Sequence, residues 1–159
     1  MAWESRFTVL VDANILLLLV VGSTDRSRIG SMSRTKQYSA DDYDIARSIV
    51  ERFRSTVTTP HVLSQTSDLL RSSGAYGELE QALSRKLQAV FIVTQEHFVP
   101  ARVLARPKEF HHIGLADASV LEAARRGCTI FTDDLPLHNV VLANGGKSLN
   151  FTELRFLNN

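Results

Sequence analysis

Three carboxylates stand where an otherwise apolar segment ends or turns inward. Asp12 closes Phe7-Thr8-Val9-Leu10-Val11, Asp134 follows Thr129-Ile130-Phe131-Thr132 with Asp133 beside it, and Asp117 precedes Val120, Leu121 and Ala124 at helical spacing. A carboxylate facing an apolar interior must hold its proton, find a cationic partner or bind a metal, because an isolated charge is costly in a low-dielectric setting. Oxygen donors drawn from several elements are the ingredients of a hard-cation site. In an open α/β sheet such donors meet outside the carboxyl ends of the strands. Each acid also has an ordinary explanation. Asp12 precedes a helix directly and Asp133 or Asp134 opens another, so all three positions suit helix capping, while Asp117 can pair with Arg125 or Arg126. The distribution of the set, rather than any one member, points to a metal site. No nitrogen or sulfur cluster competes with it, because His111 and His112 are adjacent and lack Cys or His partners at zinc spacing.

The elements that would position these acids follow an α/β alternation. Phe7 to Val11 is nearly continuous in apolar character, as a parallel strand covered on both faces should be. Ile15 to Val21 reads as a buried helix stopped by Gly22, and Gly22 to Tyr38 as a long loop carrying Arg26, Arg28, Arg34 and Lys36. Ser39 and Asp42 form a capping box opening a helix with Tyr43, Ala46, Ile49, Val50 and Phe53 on one face. Thr56 to Thr59 reads as a strand, and Pro60 as the first residue of a helix to about Ser72. A helix over Ala75 to Val90, with a stripe of Tyr76, Leu79, Leu83 and Leu87, leads to a strand at Phe91-Ile92-Val93. After a helical or irregular stretch bracketed by Pro100 and Pro107, a helix from about Leu115 to Arg126 ends at Gly127 and feeds the strand Cys128 to Phe131. A helix over Leu135 to Ala143 and a last strand over Ser148 to Leu154 complete a three-layer α/β/α sandwich with a mainly parallel central sheet.

Composition sets the bounds. A chain of 159 residues with 44% hydrophobic content fits one domain with a sizeable core. The net charge of +1 provides no global basic field, so any contact with nucleic acid must be local. The lone Cys128, in an apolar run, excludes an internal disulfide and fits a reducing cytoplasm. Met1-Ala2-Trp3-Glu4-Ser5-Arg6 lacks the basic-then-apolar order of a secretion signal, and Ile15 to Val21 is too short to span a bilayer.

Read in order, Asp12-Ala13-Asn14, Pro60-His61-Val62-Leu63-Ser64-Gln65, Leu115-Ala116-Asp117-Ala118 and Thr132-Asp133-Asp134 resemble the motifs of PIN domains, over most of the chain. Arg34-Thr35-Lys36, Thr58-Thr59-Pro60-His61, Asp133-Asp134-Leu135-Pro136-Leu137 and Leu149-Asn150-Phe151 resemble a longer bacterial subgroup related to the toxins of toxin–antitoxin operons. The resemblance implies a metal-dependent ribonuclease whose acids hold one or two Mg²⁺ or Mn²⁺ ions. By position it assigns three of those acids to Asp12, Asp117 and Asp134, with Asp133 as an additional ligand and Asn14 and Thr132 as supporting polar groups. The fourth acid, normally a glutamate, falls on Gln65, which keeps an oxygen but lacks the charge a hard cation favours, so a second metal is expected to bind weakly or not at all. Asp68, one helical turn further on, can substitute through water.

The resemblance further implies single-stranded RNA as substrate, and a small antitoxin-like protein and a second copy of the chain as partners. Arg26, Arg28, Arg34 and Lys36 are the nearest basic supply for RNA in sequence to Asp12, unless they form only a solvated loop. Two rival readings stand beside the nuclease. One is a PIN-fold module that binds RNA or protein without efficient catalysis, for which Gln65 is the support. The other is a phosphatase or receiver domain, which would need a second acid where Asn14 stands or a lysine for which Lys147 is a loose match.

Overall fold

The structure, a computed structural model, describes residues 7–157; the hexapeptide Met1 to Arg6 read above for a secretion signal lies outside the described residues. Five strands form a single all-parallel sheet: β1 (Thr8–Val11), β2 (Ser55–Thr58), β3 (Gln95–Glu96), β4 (Thr129–Thr132) and β5 (Lys147–Asn150), in the order β3-β2-β1-β4-β5. The helices are α1 (Ala13–Thr24), α2 (Ala40–Val50), α3 (Pro60–Arg71), α4 (Gly77–Val93), α5 (Ala101–Leu104), α6 (Phe110–Arg125), α7 (Leu135–Ala143) and α8 (Phe151–Leu157).

Alternation along the strands builds two cores, one on each face of the sheet. Val9, Val11 and Phe131 face a layer made by α1, α2, α4 and α8, where Leu17, Leu18, Tyr43, Leu83 and Phe151 are buried. Leu10, Val57 and Ile130 face the opposite layer, made by Val62 of α3, Val120 and Leu121 of α6, and Leu137 and Val141 of α7. This is the three-layer α/β/α arrangement expected from the sequence. Cys128 is buried and free, as its apolar surroundings led one to expect. Among the described residues no helix is long and apolar enough to cross a membrane.

Several boundaries differ from the sequence reading, each for a local reason. Helix α1 does not stop at Gly22 but runs to Thr24, and Gly22 serves instead as the place where α2 comes close: a Cβ there would overlap the ring of Tyr43. The stretch expected as a loop from Gly22 to Tyr38 accordingly contains the end of α1 and a 3₁₀ helix over Arg26–Ser31, which Asp25 caps through Ser27 N–H at 3.0 Å. Phe91-Ile92-Val93 is not a strand. It continues α4, whose last backbone bond runs from Thr94 N–H to the Val90 carbonyl at 3.0 Å, and the strand that follows is the pair Gln95–Glu96.

Tyr76, expected in the apolar stripe of this helix, precedes it and is exposed, while Leu83 and Leu87 are buried as expected. The helix carrying Asp117 starts at Phe110, five residues before Leu115, and is broken at Gly114, whose φ of 73° and ψ of −174° suit only glycine. Finally, the expected strand Ser148 to Leu154 ends at Asn150. The Asn150 Oδ1 accepts from Glu153 N–H at 3.3 Å, and Phe151 turns into the core as the first residue of α8.

Candidate metal centre at the strand ends

Strand β1 lies between β2 and β4 with all ends in the same sense, and the chain moves from β1 to β2 on one side but returns from β3 to β4 on the other. The order therefore reverses between β1 and β4, and the crevice outside their carboxyl ends is the natural binding position of this fold. Asp12 and Thr132 are the residues at that point. The Asp12 backbone N–H still continues the ladder, donating to the Phe131 carbonyl at 2.9 Å.

A chain of hydrogen bonds fixes the acids. Asp12 Oδ1 accepts from Ala13 N–H at 2.8 Å, so Asp12 does cap α1, while Oδ2 accepts from the Thr132 hydroxyl at 2.7 Å. The same Thr132 Oγ1 accepts from Asp134 N–H at 3.0 Å, and Asp134 Oδ1 caps α7 by accepting from Leu137 N–H at 2.9 Å. Capping and site-building are thus the same geometry: each cap orients a carboxylate at the mouth of the sheet. Asp133 points elsewhere. It accepts from Asn14 Nδ2 at 3.3 Å and from the hydroxyl of buried Tyr38, which packs on Phe151 with ring centroids 5.9 Å apart. Tyr38 is a participant that no local sequence pattern announces.

Asp117 is different in kind. It is half-buried, it forms neither an ion pair nor a hydrogen bond among the described residues, and its pKa is pushed up to about 6, first by burial and then by the charges of Asp12 and Asp134. The pairing with Arg125 or Arg126 that would have explained it is absent. Arg125 reaches Glu109 and Asn144, and Arg126 reaches Glu122. Burial also raises the pKa of Asp12, against the hydrogen bonds from Thr132 and Ala13 and with the help of the Asp133 and Asp134 charges. Asp12, Asp117 and Asp134 therefore feel one another's charge across the crevice. Helix α6 is held there by a buried bond between the Thr59 and Ser119 hydroxyls at 2.8 Å, Thr59 also capping α3 through Val62 N–H at 3.2 Å.

The remaining sequence-derived residues are not joined to this group. Gln65 and Asp68 lie exposed on α3 and share no hydrogen bond with the acids among the described residues. Arg26 is held by both oxygens of Asp44 at 3.0 and 2.7 Å, Arg28 pairs with Asp25 at 3.5 Å, and Arg34 donates to the Ser72 hydroxyl at 3.0 Å. Lys36 is exposed. At the carboxyl end of β2 and the start of α3, Thr58 Oγ1 and His61 Nδ1 are buried polar atoms without a hydrogen-bond partner among the described residues.

In donor chemistry the set fits Mg²⁺ or Mn²⁺: carboxylate oxygens from three elements, mutually repelling, with no cation beside Asp117. The ligand shell is not preassembled, and among the described residues no group of three or more His, Cys, Asp or Glu side chains is closed around a metal position. No protein-family model matches the chain, and no curated protein is significantly similar to it.

Proposed function

We propose that this protein is a Mg²⁺- or Mn²⁺-dependent endoribonuclease of the PIN type, hydrolysing single-stranded RNA. The observation that carries the reading is Asp117: a desolvated carboxylate with no partner of its own, facing two further carboxylates at the switch point of a parallel sheet. Such an arrangement destabilises the fold unless a cation joins it, and strongly perturbed groups in a crevice mark functional sites.

In this reading Asp12, Asp117 and Asp134 hold the cation, which when bound supplies Lewis acidity and an activated water for phosphodiester hydrolysis. Asp12 is oriented by Thr132, and Asp134 by the cap of α7, which limits the rotamer freedom each would lose on ligation. Asp133, held by Tyr38 and Asn14, acts as a support behind the ligand set. No side-chain nucleophile is needed. A small antitoxin-like protein and a second copy of the chain are candidate protein partners under this reading, and the buried, free Cys128 suits a reducing cytoplasm.

A second reading, a PIN-type binding module without efficient catalysis, is favoured by one observation: Gln65 is exposed and unconnected to the acids. Cleavage of a mixed single-stranded RNA pool by the purified protein separates the two. The nuclease reading expects cleavage that EDTA and Asp117→Asn both abolish, with Gln65→Glu raising activity by restoring a negative charge. Absence of cleavage in all forms, with no metal uptake by calorimetry, would favour the binding module.

A further inference from the structure

The segment between β3 and Asp117 forms an arm with its own small core. Val99 and Leu104 pack against Ala118, the residue after Asp117, with Val103, Phe110 and Ile113 completing the contact. Because these apolar residues all turn towards α6, the intervening Arg102, Arg106, Lys108, His111 and His112 are exposed. None of the three cations forms an ion pair or hydrogen bond among the described residues. The one acid of the stretch, Glu109, is drawn to Arg125 at 3.4 Å, which leaves the arm's outer face positive. Gly114, outside helical geometry, separates the arm from the rest of α6 and lets its direction differ from that of the helix that carries Asp117.

An acidic crevice repels a polyanion, so a strand entering it needs positive charge close by. Of the four basic residues near α1, Arg26 and Arg28 are occupied by Asp44 and Asp25, and Arg34 by the Ser72 hydroxyl, which leaves Lys36 alone of the four exposed without such a partner among the described residues. We infer that the 101–113 arm is the surface that holds the RNA strand beside the crevice. Arg102, Arg106 and Lys108 contact phosphates, and the exposed rings of His111, His112 and Phe98 provide stacking for unpaired bases. The inference rests on the nuclease reading for the identity of the ligand.

The test is fluorescence anisotropy of a labelled, mixed-sequence single-stranded RNA with the full chain in EDTA, so that nothing is cut, repeated over a salt series. The triple variant Arg102→Ala/Arg106→Ala/Lys108→Ala is expected to bind about tenfold or more weakly and to lower the slope of log affinity against log salt by about 2, the release expected from three phosphate contacts on a single strand. Arg26→Ala/Arg28→Ala should change affinity less than about threefold. Arg102→Lys/Arg106→Lys should retain binding, and this, together with unchanged melting of the triple variant, separates lost charge from lost structure. Wild-type binding in the triple variant, an equal loss in the Arg26/Arg28 variant, or no RNA binding by the wild type overturns the inference. Cleavage in Mg²⁺ distinguishes the two levels: arm-dependent binding without cleavage removes the nuclease reading and keeps the arm, whereas undiminished cleavage by the triple variant does the reverse.

Discussion

Asp117 gives the sharpest expectation at the level of single residues. Its pKa lies at about 6 in the folded protein, above the ordinary carboxylate value of 3.8, so between these values the native state binds more protons than the unfolded one. Stability contributed by that proton is fully present below the unfolded value and is lost as pH rises through the folded one. Metal-free protein should therefore become less stable between roughly pH 4 and pH 6, by about 1–2 kcal/mol once solvent screening of this half-buried group is allowed for. Asp117→Asn should abolish cleavage, raise the melting temperature in EDTA at neutral pH, and flatten this pH dependence; calorimetric melts across the range check all three. Tyr38→Phe removes the hydroxyl that holds Asp133. Loss of such a support behind a metal site typically costs 10–100-fold, and a drop of about that size in kcat/KM is expected with cation titration as the second readout. Asp12, Asp117 and Asp134 were legible in the sequence because each is a charge set among apolar residues, a local anomaly. Tyr38 was not, because its partner is 95 residues away and a tyrosine at the end of a polar stretch breaks no local pattern.

Among the elements, the sequence was informative wherever burial and periodicity agreed. The strands β1 and β4, the capping box of α2 and the Pro60 start of α3 all appear where the pattern puts them. It misled where a residue serves two structures. Phe91-Ile92-Val93 has strand composition, yet continuing α4 preserves its backbone bonds, and β-propensity yields to that context. Gly22 has the look of a helix stop because glycine often is one, but here its missing side chain admits Tyr43. Gly22→Ala should consequently destabilise the fold by about 1–3 kcal/mol through overpacking, although alanine is the better helix former; urea titration measures it. Thr59→Ala removes both the α3 cap and the tie to Ser119, and should cost about 1–2 kcal/mol in the same assay.

Across the whole molecule, distant parts of the chain converge on Arg155 in α8. It donates to both oxygens of Asp42 at 2.9 and 2.6 Å and to the Gln37 carbonyl at 3.0 Å, and it lies over the rings of Tyr38 and Phe151. Asp42 is buried, so Arg155→Ala should leave it uncompensated and cost about 3 kcal/mol or more, loosening α8, α2 and the Tyr38 support together; denaturant unfolding paired with the RNA cleavage assay would show both losses. The edges of the sheet have a different bearing on how copies of the chain meet. One outer strand, β3, is only two residues long with both side chains exposed, and the other, β5, begins at the exposed Lys147. Short, charged borders give a neighbouring polypeptide little backbone to pair with, which protects against sheet extension and fibril-like aggregation. Contacts between copies of this chain are thereby steered away from sheet extension and towards the helical layers.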